Sequence, residues 1–240
     1  MQLCKTFYLN DLLIDVTEVE PLDPQRPVFR LTLSSPLPLV DPTAAIDAPS
    51  TVIVKQQKIN WEDEFKQEIQ AYEKLKELQG TVIPIFYGQG SFNGLDAFVI
   101  SEVKGVTLHD LARANFGVQE DALKMHLKEA LGAFDKHKAL YWDARPDNFL
   151  FCAEQNKVMI VDLEQVEFPC PLQPWHRNSG SVDNLMSKFR DGRNPNRPPS
   201  PAGVWYQPGA EDEEGGSKMV GLRGPVGRMK QGTPKSRVPC

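Results

Sequence analysis

The sequence has no apolar run long enough to cross a bilayer. Its longest, such as Thr81 to Tyr87 and Ala97 to Ile100, stop far short of the roughly 18 residues a spanning helix needs. A membrane-embedded protein is therefore not expected. The first twenty residues form a broken apolar stretch followed by acids. They lack the basic segment, apolar centre and small-residue cleavage site of a secretory leader, so an intracellular (cytoplasmic or nuclear) protein is expected. Cysteine is scarce: Cys4, Cys152, Cys170 and Cys240 stand far apart with no CxxC pair. That argues against a zinc site, and inside a cell such cysteines are expected as free thiols. Cys240 is the last residue rather than the fourth from the end, so no prenylation box is read. The four histidines, His109, His126, His137 and His176, show no ligand spacing.

What remains is a soluble composition, with 40% hydrophobic and 25% charged residues over 240 positions. The net charge of -5 hides a division. Residues 1–168 carry 16 Lys and Arg against 26 Asp and Glu, while residues 169–240 carry 11 against 6. The second stretch also holds 11 of the 20 prolines and 10 of the 17 glycines, a density at which aperiodic sequence usually fails to pack. Apart from Leu185 to Phe189 it shows no amphipathic period. The expected organisation is a folded domain over 1–168, followed by a Pro/Gly-rich, basic, mostly disordered tail over 169–240.

Within 1–168, Phe7 to Val19 and Pro27 to Ser34 read as strands joined by a turn at Pro21 to Pro27, and a Pro-rich loop spans Ser35 to Ser50. The β-branched run Thr51 to Val54 reads as a buried strand ending at Lys55. Asn60 then stands where a helix cap would, before Trp61, Phe65, Ile69, Tyr72, Leu75 and Leu78, which recur every three or four residues. Glu68 falls on this inward stripe, three after Phe65 and four before Tyr72. A buried carboxylate needs a partner, and Lys55 is the nearest cation in the sequence. Strands over Val82 to Tyr87 and Ala97 to Ser101, with a turn at Gly88 to Gly94, and a helix over Gln119 to Lys138 follow.

Two short apolar runs, Asn148 to Phe151 and Val158 to Val161, can close a hairpin. Pairing Leu150 with Ile160 fixes an antiparallel register in which Asn148 faces Asp162. An amide and a carboxylate oxygen brought together there suit a hard cation such as Mg2+, which takes its other oxygens from phosphates and water. Asp143, five residues before Asn148 on a loop stiffened by Pro146, is placed to orient a hydroxyl and accept its proton.

These residues resemble the protein-kinase-like superfamily, which includes the protein kinases and the aminoglycoside phosphotransferase relatives. DARPDN at Asp143 to Asn148 is similar to the catalytic-loop pattern D-L-K-P-E-N, with Arg145 in place of the phosphate-contacting lysine. VIVK ending at Lys55 resembles the V-A-I-K strand, Glu68 stands where the αC glutamate would, and VDLE at Val161 to Glu164 takes the D-F-G place. Ser101 to Gly105 occupies the hinge position, which assigns Glu102 to the cofactor site. The resemblance, over roughly residues 50–168, implies an α+β fold: an antiparallel N-lobe sheet with its αC helix, and a minimal C-lobe. It implies ATP and Mg2+ as cofactors, with Asp143 and Arg145 catalytic, Lys55, Glu68 and Glu102 binding the nucleotide, and Asn148 and Asp162 holding the metal.

The sequence also departs from that pattern. No glycine precedes Gly80, so the glycine-rich loop over the phosphates is missing. Tyr141-Trp142 replaces the His-Arg before the catalytic Asp, removing the His that braces the loop and the Arg that answers a phosphorylated activation loop. Glu164 replaces the glycine of D-F-G and reads as either an extra metal ligand or a surface residue. The leading expectation is a phosphotransferase acting on a protein or small-molecule hydroxyl. The alternative is a pseudokinase, a binding module without turnover. A nucleic-acid-binding role for the basic tail ranks last, and no membrane partner is expected.

Overall fold

The computed structural model of the chain describes residues 6–23, 26–37, 48–114, 117–171, 173 and 176–194. Most of the expected Pro-rich loop and the tail beyond 194 lie outside them. The chain divides into two units, Met1–Pro198 and Pro199–Cys240, and every described residue belongs to the first.

Six antiparallel strands close into a barrel: β1 (Thr6–Leu9), β2 (Leu12–Asp23), β3 (Arg26–Leu33), β4 (Thr51–Gln56), β5 (Phe86–Phe92) and β6 (Leu95–Ser101), in the order β1-β2-β3-β4-β6-β5 with β1 returning to β5. The single strand expected over Phe7 to Val19 is two, because Asn10 and Asp11 both adopt left-handed backbone (φ 47° and 65°) and reverse the chain in a tight hairpin. The turn expected across Gly88 to Gly94 shrinks to Asn93-Gly94 (φ 50° and 76°), so Phe86–Phe92 is continuous strand. Closure needs Gly90, because a side chain there would run into the Tyr8 carbonyl where β1 meets β5. Alternation along each strand sends Phe7, Leu9, Leu31, Val52, Val54, Phe92 and Val99 into the barrel. The opposite faces of β4 and β6 turn Ile53, Phe98 and Ile100 outward into a second, larger core.

That second core is covered by α1 (Glu62–Lys74), whose apolar stripe buries Ile69, Ala71 and Tyr72. The expected stripe is present, but its start differs. Asn60 is not a cap: it sits in a left-handed turn (φ 63°), and Trp61 occupies the cap position without a side-chain bond. Beyond the barrel come β7 (Val106–Thr107), α2 (Leu108–Arg113), α3 (Glu120–Lys136), β8 (Leu140–Tyr141), β9 (Phe149–Cys152), β10 (Lys157–Ile160), β11 (Val166–Glu167) and α4 (Ser179–Arg193). Leu123, Leu127, Leu131 and Phe134 of α3 are buried together, as their period requires.

Two expectations are corrected here. The stretch expected as tail contains α4, and its Val182, Leu185, Met186 and Phe189 are buried in the same core as α3. Buried Asn178 ties α4 in place. It accepts from the Tyr141 N–H (2.8 Å) and donates to Asp135 (2.7 Å) and the Ala139 carbonyl (2.9 Å). Ordered structure therefore runs well past residue 168. Cysteine also behaves differently, for Cys152 is a buried free thiol but Cys170 is disulfide-bonded. No helix among the described residues is long and apolar enough to cross a membrane.

Candidate functional site

A cleft of about 650 Å3 runs between the barrel and the β9–β10 side of the molecule. Lys55 enters it from β4. Because Val52 and Val54 point into the barrel, Lys55 points the other way, toward α1, where Glu68 is carried inward on the helical stripe. The Lys55 Nζ lies 2.6 Å from both Glu68 oxygens, with Glu68 almost wholly buried. The Leu163 N–H adds a third bond to Glu68 at 3.0 Å. Burial opposes the charge on Lys55, yet Glu68, Asp162 and Glu164 outweigh it and raise the ammonium's pKa. Burial pushes the Glu68 carboxyl up to about 7 against the pull of Lys55.

Asp162 follows β10 and has φ 68°, an uncommon backbone for a non-glycine residue and one found at functional sites. Its two oxygens are bracketed by cations: Lys55 Nζ at 3.2 Å from Oδ1 and Arg26 Nη1 at 3.3 Å from Oδ2. Burial would raise its pKa, but Lys55, Arg26 and Lys58 hold it below the usual aspartate range. Glu164 also lines the cleft and is paired with Lys58 at 2.6 Å, so it is not a free surface acid.

The β9–β10 hairpin is shifted by one residue from the expected register. Phe149 pairs with Ile160 and Leu150 with Met159. Asn148 therefore stands opposite Val161, whose N–H bonds the Asn148 carbonyl at 2.9 Å, rather than opposite Asp162. Both Asn148 and Asp162 still line the cleft. Asn148 donates through Nδ2 to the Asp143 backbone oxygen (3.1 Å) and to its carboxylate (2.9 Å).

Asp143 and Arg145 do not line the cleft. Asp143 reaches it through Asn148, and Arg145 turns back onto Asp143 Oδ2 at 2.7 Å instead of facing a phosphate position. Glu102 lines the cleft, but its carboxylate is held by Arg30 at 2.8 Å. The loss of bracing expected from Tyr141 is also corrected. Its hydroxyl donates to the Asp162 carbonyl at 3.1 Å, so a phenol steadies the segment across the cleft floor. Burial raises the Tyr141 pKa well above that of free tyrosine, which keeps the donor protonated.

Three residues escape sequence reasoning. Arg26 opens β3, and nothing in the local sequence signals that it faces Asp162. Lys58 is visible only as the end of TVIVKQQK. Tyr141 reads as a loss because a phenol does not look like an imidazole. For a metal, the oxygen donors at hand are Asp162, the Asn148 oxygen left by its amide bonds, and the oxygens of Glu68 and Glu164, which with Asp162 fall within 4.8 Å of one another. This all-oxygen set suits a hard cation such as Mg2+. With Lys55 inside a cleft large enough for a nucleotide, the residues fit Mg-ATP.

No protein-family model and no curated protein matches the sequence. Among solved structures, the PknI kinase domain of Mycobacterium tuberculosis is similar at 15% identity and a TM-score of 0.55, over 82% of this chain and 83% of that one. A single cysteine-to-alanine mutant of the PknI domain is similar at 15% identity and a TM-score of 0.56, over 82% and 81%. A double mutant, with an arginine also changed to alanine, gives 14% and 0.56 over the same shares. At such identity the likeness speaks for architecture, and together with the barrel, α1 and the cleft it shows that this chain has the α+β protein-kinase-like fold.

Proposed function

We propose that the chain is an ATP-dependent phosphotransferase that transfers the γ-phosphoryl group to a protein or small-molecule hydroxyl. The observation that carries this reading is the convergence of Lys55, Glu68 and Asp162 in one cleft, at 2.6 and 3.2 Å from a single ammonium. Such a cluster keeps Lys55 charged and aimed at the cleft, where it neutralises the α- and β-phosphates. Asp162 and Asn148 would hold Mg2+, which when bound supplies charge neutralisation at the β- and γ-phosphates. Asp143 orients the acceptor hydroxyl and takes its proton as the new O–P bond forms and the bond to ADP breaks. Asn148 holds Asp143 at 2.9 Å, fixing the base relative to the metal ligand.

One observation favours a second reading, a nucleotide-binding pseudokinase: Arg145 and Asn148 both donate to Asp143 Oδ2, so that oxygen is already occupied rather than open to an acceptor hydroxyl. Two variants separate these readings. Asp162→Ala should lose Mg-ATP binding, while Asp143→Ala should keep binding and lose phosphoryl transfer. A ligand at 100 times its dissociation constant stabilises the native state by about 2.7 kcal/mol, which for a domain of this size is a melting shift of about 5 to 11 °C. No shift at millimolar Mg-ATP in folded protein rejects both readings. A shift without transfer to any acceptor or to water selects the pseudokinase.

A further inference from the structure

The end of β2 and the start of β3, at Asp23 and Arg26, border the cleft, and the sequence from Asp23 to Pro27 is poorly equipped to bind phosphate through its backbone. No glycine precedes Gly80, so each residue from Asp23 to Pro27 carries a Cβ, which limits close approach of backbone to a phosphate. Pro24 and Pro27, two of the five residues from Asp23 to Pro27, have no N–H to donate. Arg26 and Pro27, at the start of β3, both line the cleft, and Arg26 is the one cation in the sequence from Asp23 to Pro27.

Among the described residues, four cationic ones line the cleft: Arg26, Arg30, Lys55 and Lys58. Three are committed at close range. Arg30 is held by Glu20 at 2.6 Å and Glu102 at 2.8 Å, Lys55 by Glu68 at 2.6 Å, and Lys58 by Glu164 at 2.6 Å. Arg26 is the exception. Its contacts are single-point and long, Nη1 to Asp162 at 3.3 Å and Nε to Asp23 at 3.5 Å, and its side chain is 35% exposed. Neither contact uses the parallel two-bond fork in which a guanidinium binds carboxylate or phosphate best, at about 2.7–2.9 Å. The residue it touches, Asp162, is one that would hold a metal.

We propose that Arg26 is a phosphate-binding residue of this cleft: its guanidinium leaves Asp162 when the metal–nucleotide complex arrives and grips the polyphosphate, replacing the backbone contacts of a glycine loop. The inference rests on the nucleotide reading of the cleft for its natural ligand, but not for its chemistry, since any polyphosphate presents the same oxygens. In the absence of ligand the same arginine neutralises Asp162, so the carboxylate passes from one cation to another and is never left bare.

The test measures binding by calorimetry with Mg-ATP, with adenosine and with inorganic tripolyphosphate plus Mg2+, on the full chain and on Arg26→Ala and Arg26→Lys. Melting curves and circular dichroism check that each variant is folded. Losing a charge-assisted contact should weaken Mg-ATP and tripolyphosphate binding about tenfold to a hundredfold in Arg26→Ala and leave adenosine unchanged. Arg26→Lys, with charge but no fork, should fall between. If Arg26→Ala is poorly folded, Arg26→Lys is read alone, and a tripolyphosphate affinity equal to wild type overturns the proposal. Mg-ATP bound equally well by wild type and Arg26→Ala overturns the role of Arg26 and leaves the nucleotide reading standing. Tripolyphosphate bound through Arg26, with no affinity for Mg-ATP, upholds Arg26 and overturns the nucleotide reading. No binding of any of the three by wild type overturns both.

Discussion

Replacing Lys55 with methionine tests the electrostatic heart of the cleft without touching its shape. The change keeps an unbranched chain of similar length and removes the ammonium, so Glu68, only 1% exposed, keeps a single bond, from the Leu163 N–H. Breaking a buried pair by removing one partner costs about 3–5 kcal/mol, because a bare charge is left inside. For a domain of this size that is a fall in melting temperature of about 6–20 °C. The reverse change, Glu68→Leu, should cost less, because Lys55 keeps Asp162 at 3.2 Å. The double variant should be more stable than Lys55→Met alone, since no unpaired carboxylate remains at position 68. The penalty of Lys55→Met should also shrink from pH 8 to pH 6: Glu68 already sits near 7 in the native chain, and without the ammonium it protonates more readily still. Urea and thermal unfolding of the four proteins at the two pH values measures all of this. A Lys55→Met protein within about 1 kcal/mol of wild type at pH 8, or a Glu68→Leu protein less stable than it, would refute the reasoning.

Four further outcomes follow from the same structure. Tyr141→Phe removes the hydroxyl that holds the Asp162 carbonyl and should cost about 1 kcal/mol, together with weaker Mg-ATP binding; an unchanged affinity would mean the brace does not position Asp162. Because burial raises Glu68 from about 4.5 to about 7, the folded state holds an extra proton between those values. Its contribution to stability is thus complete below the unfolded value and lost as pH rises toward 7, with a slope of at most one proton. Glu68→Gln should flatten that window, and an identical pH profile would show that Glu68 does not titrate there. Phe189→Ala, emptying a fully buried site on α4, should cost about 3–5 kcal/mol. A fragment ending at residue 168 should melt without a cooperative transition, whereas a stable, cooperatively folded fragment would show that α4 is dispensable.

The parts of this molecule that are legible in sequence are those fixed by a local period. The α1 stripe places Glu68 inward, alternation along Thr51 to Val54 turns Lys55 out of the barrel, and only one layer lies between those faces, so their meeting is foreseeable. The β9–β10 register is not. Phe149, Leu150 and Phe151 face Val158, Met159 and Ile160, and six apolar residues fit two registers equally well. The choice is made by the connection, a short 3-10 turn over Ala153–Gln155 closed by Asn156 in left-handed backbone (φ 47°), which leaves four residues between Cys152 and Lys157. The hairpin at Asn10-Asp11 does carry a signal, since both residue types tolerate positive φ, but the loose alternation across it masks the break. α4 is hidden by averaging: Val182, Leu185, Met186 and Phe189 have helical spacing, yet they sit in a stretch whose composition is dominated by proline and glycine further on.

What no local pattern could supply is how the departures compensate one another. Read singly, the loss of the glycine loop, the Tyr at 141 and the acid at 164 each argue for decay. In three dimensions each changed position is engaged. Arg26 reaches Asp162 from the start of β3, Tyr141 donates to the Asp162 backbone, and Glu164 takes Lys58, which also lies over the Trp61 ring at 4.9 Å. Two of these contacts fall on Asp162 and the third on its near neighbour in the same segment. A buried polar group without a partner costs about 1–3 kcal/mol, and the Tyr72 hydroxyl, within reach of the Glu68 and Asp162 charges, is one. Asp162 instead has a cation on each oxygen and a donor on its carbonyl. The segment is held from three elements distant in sequence, and on the proposed nucleotide reading Asp162 is the residue whose substitution should disturb binding most.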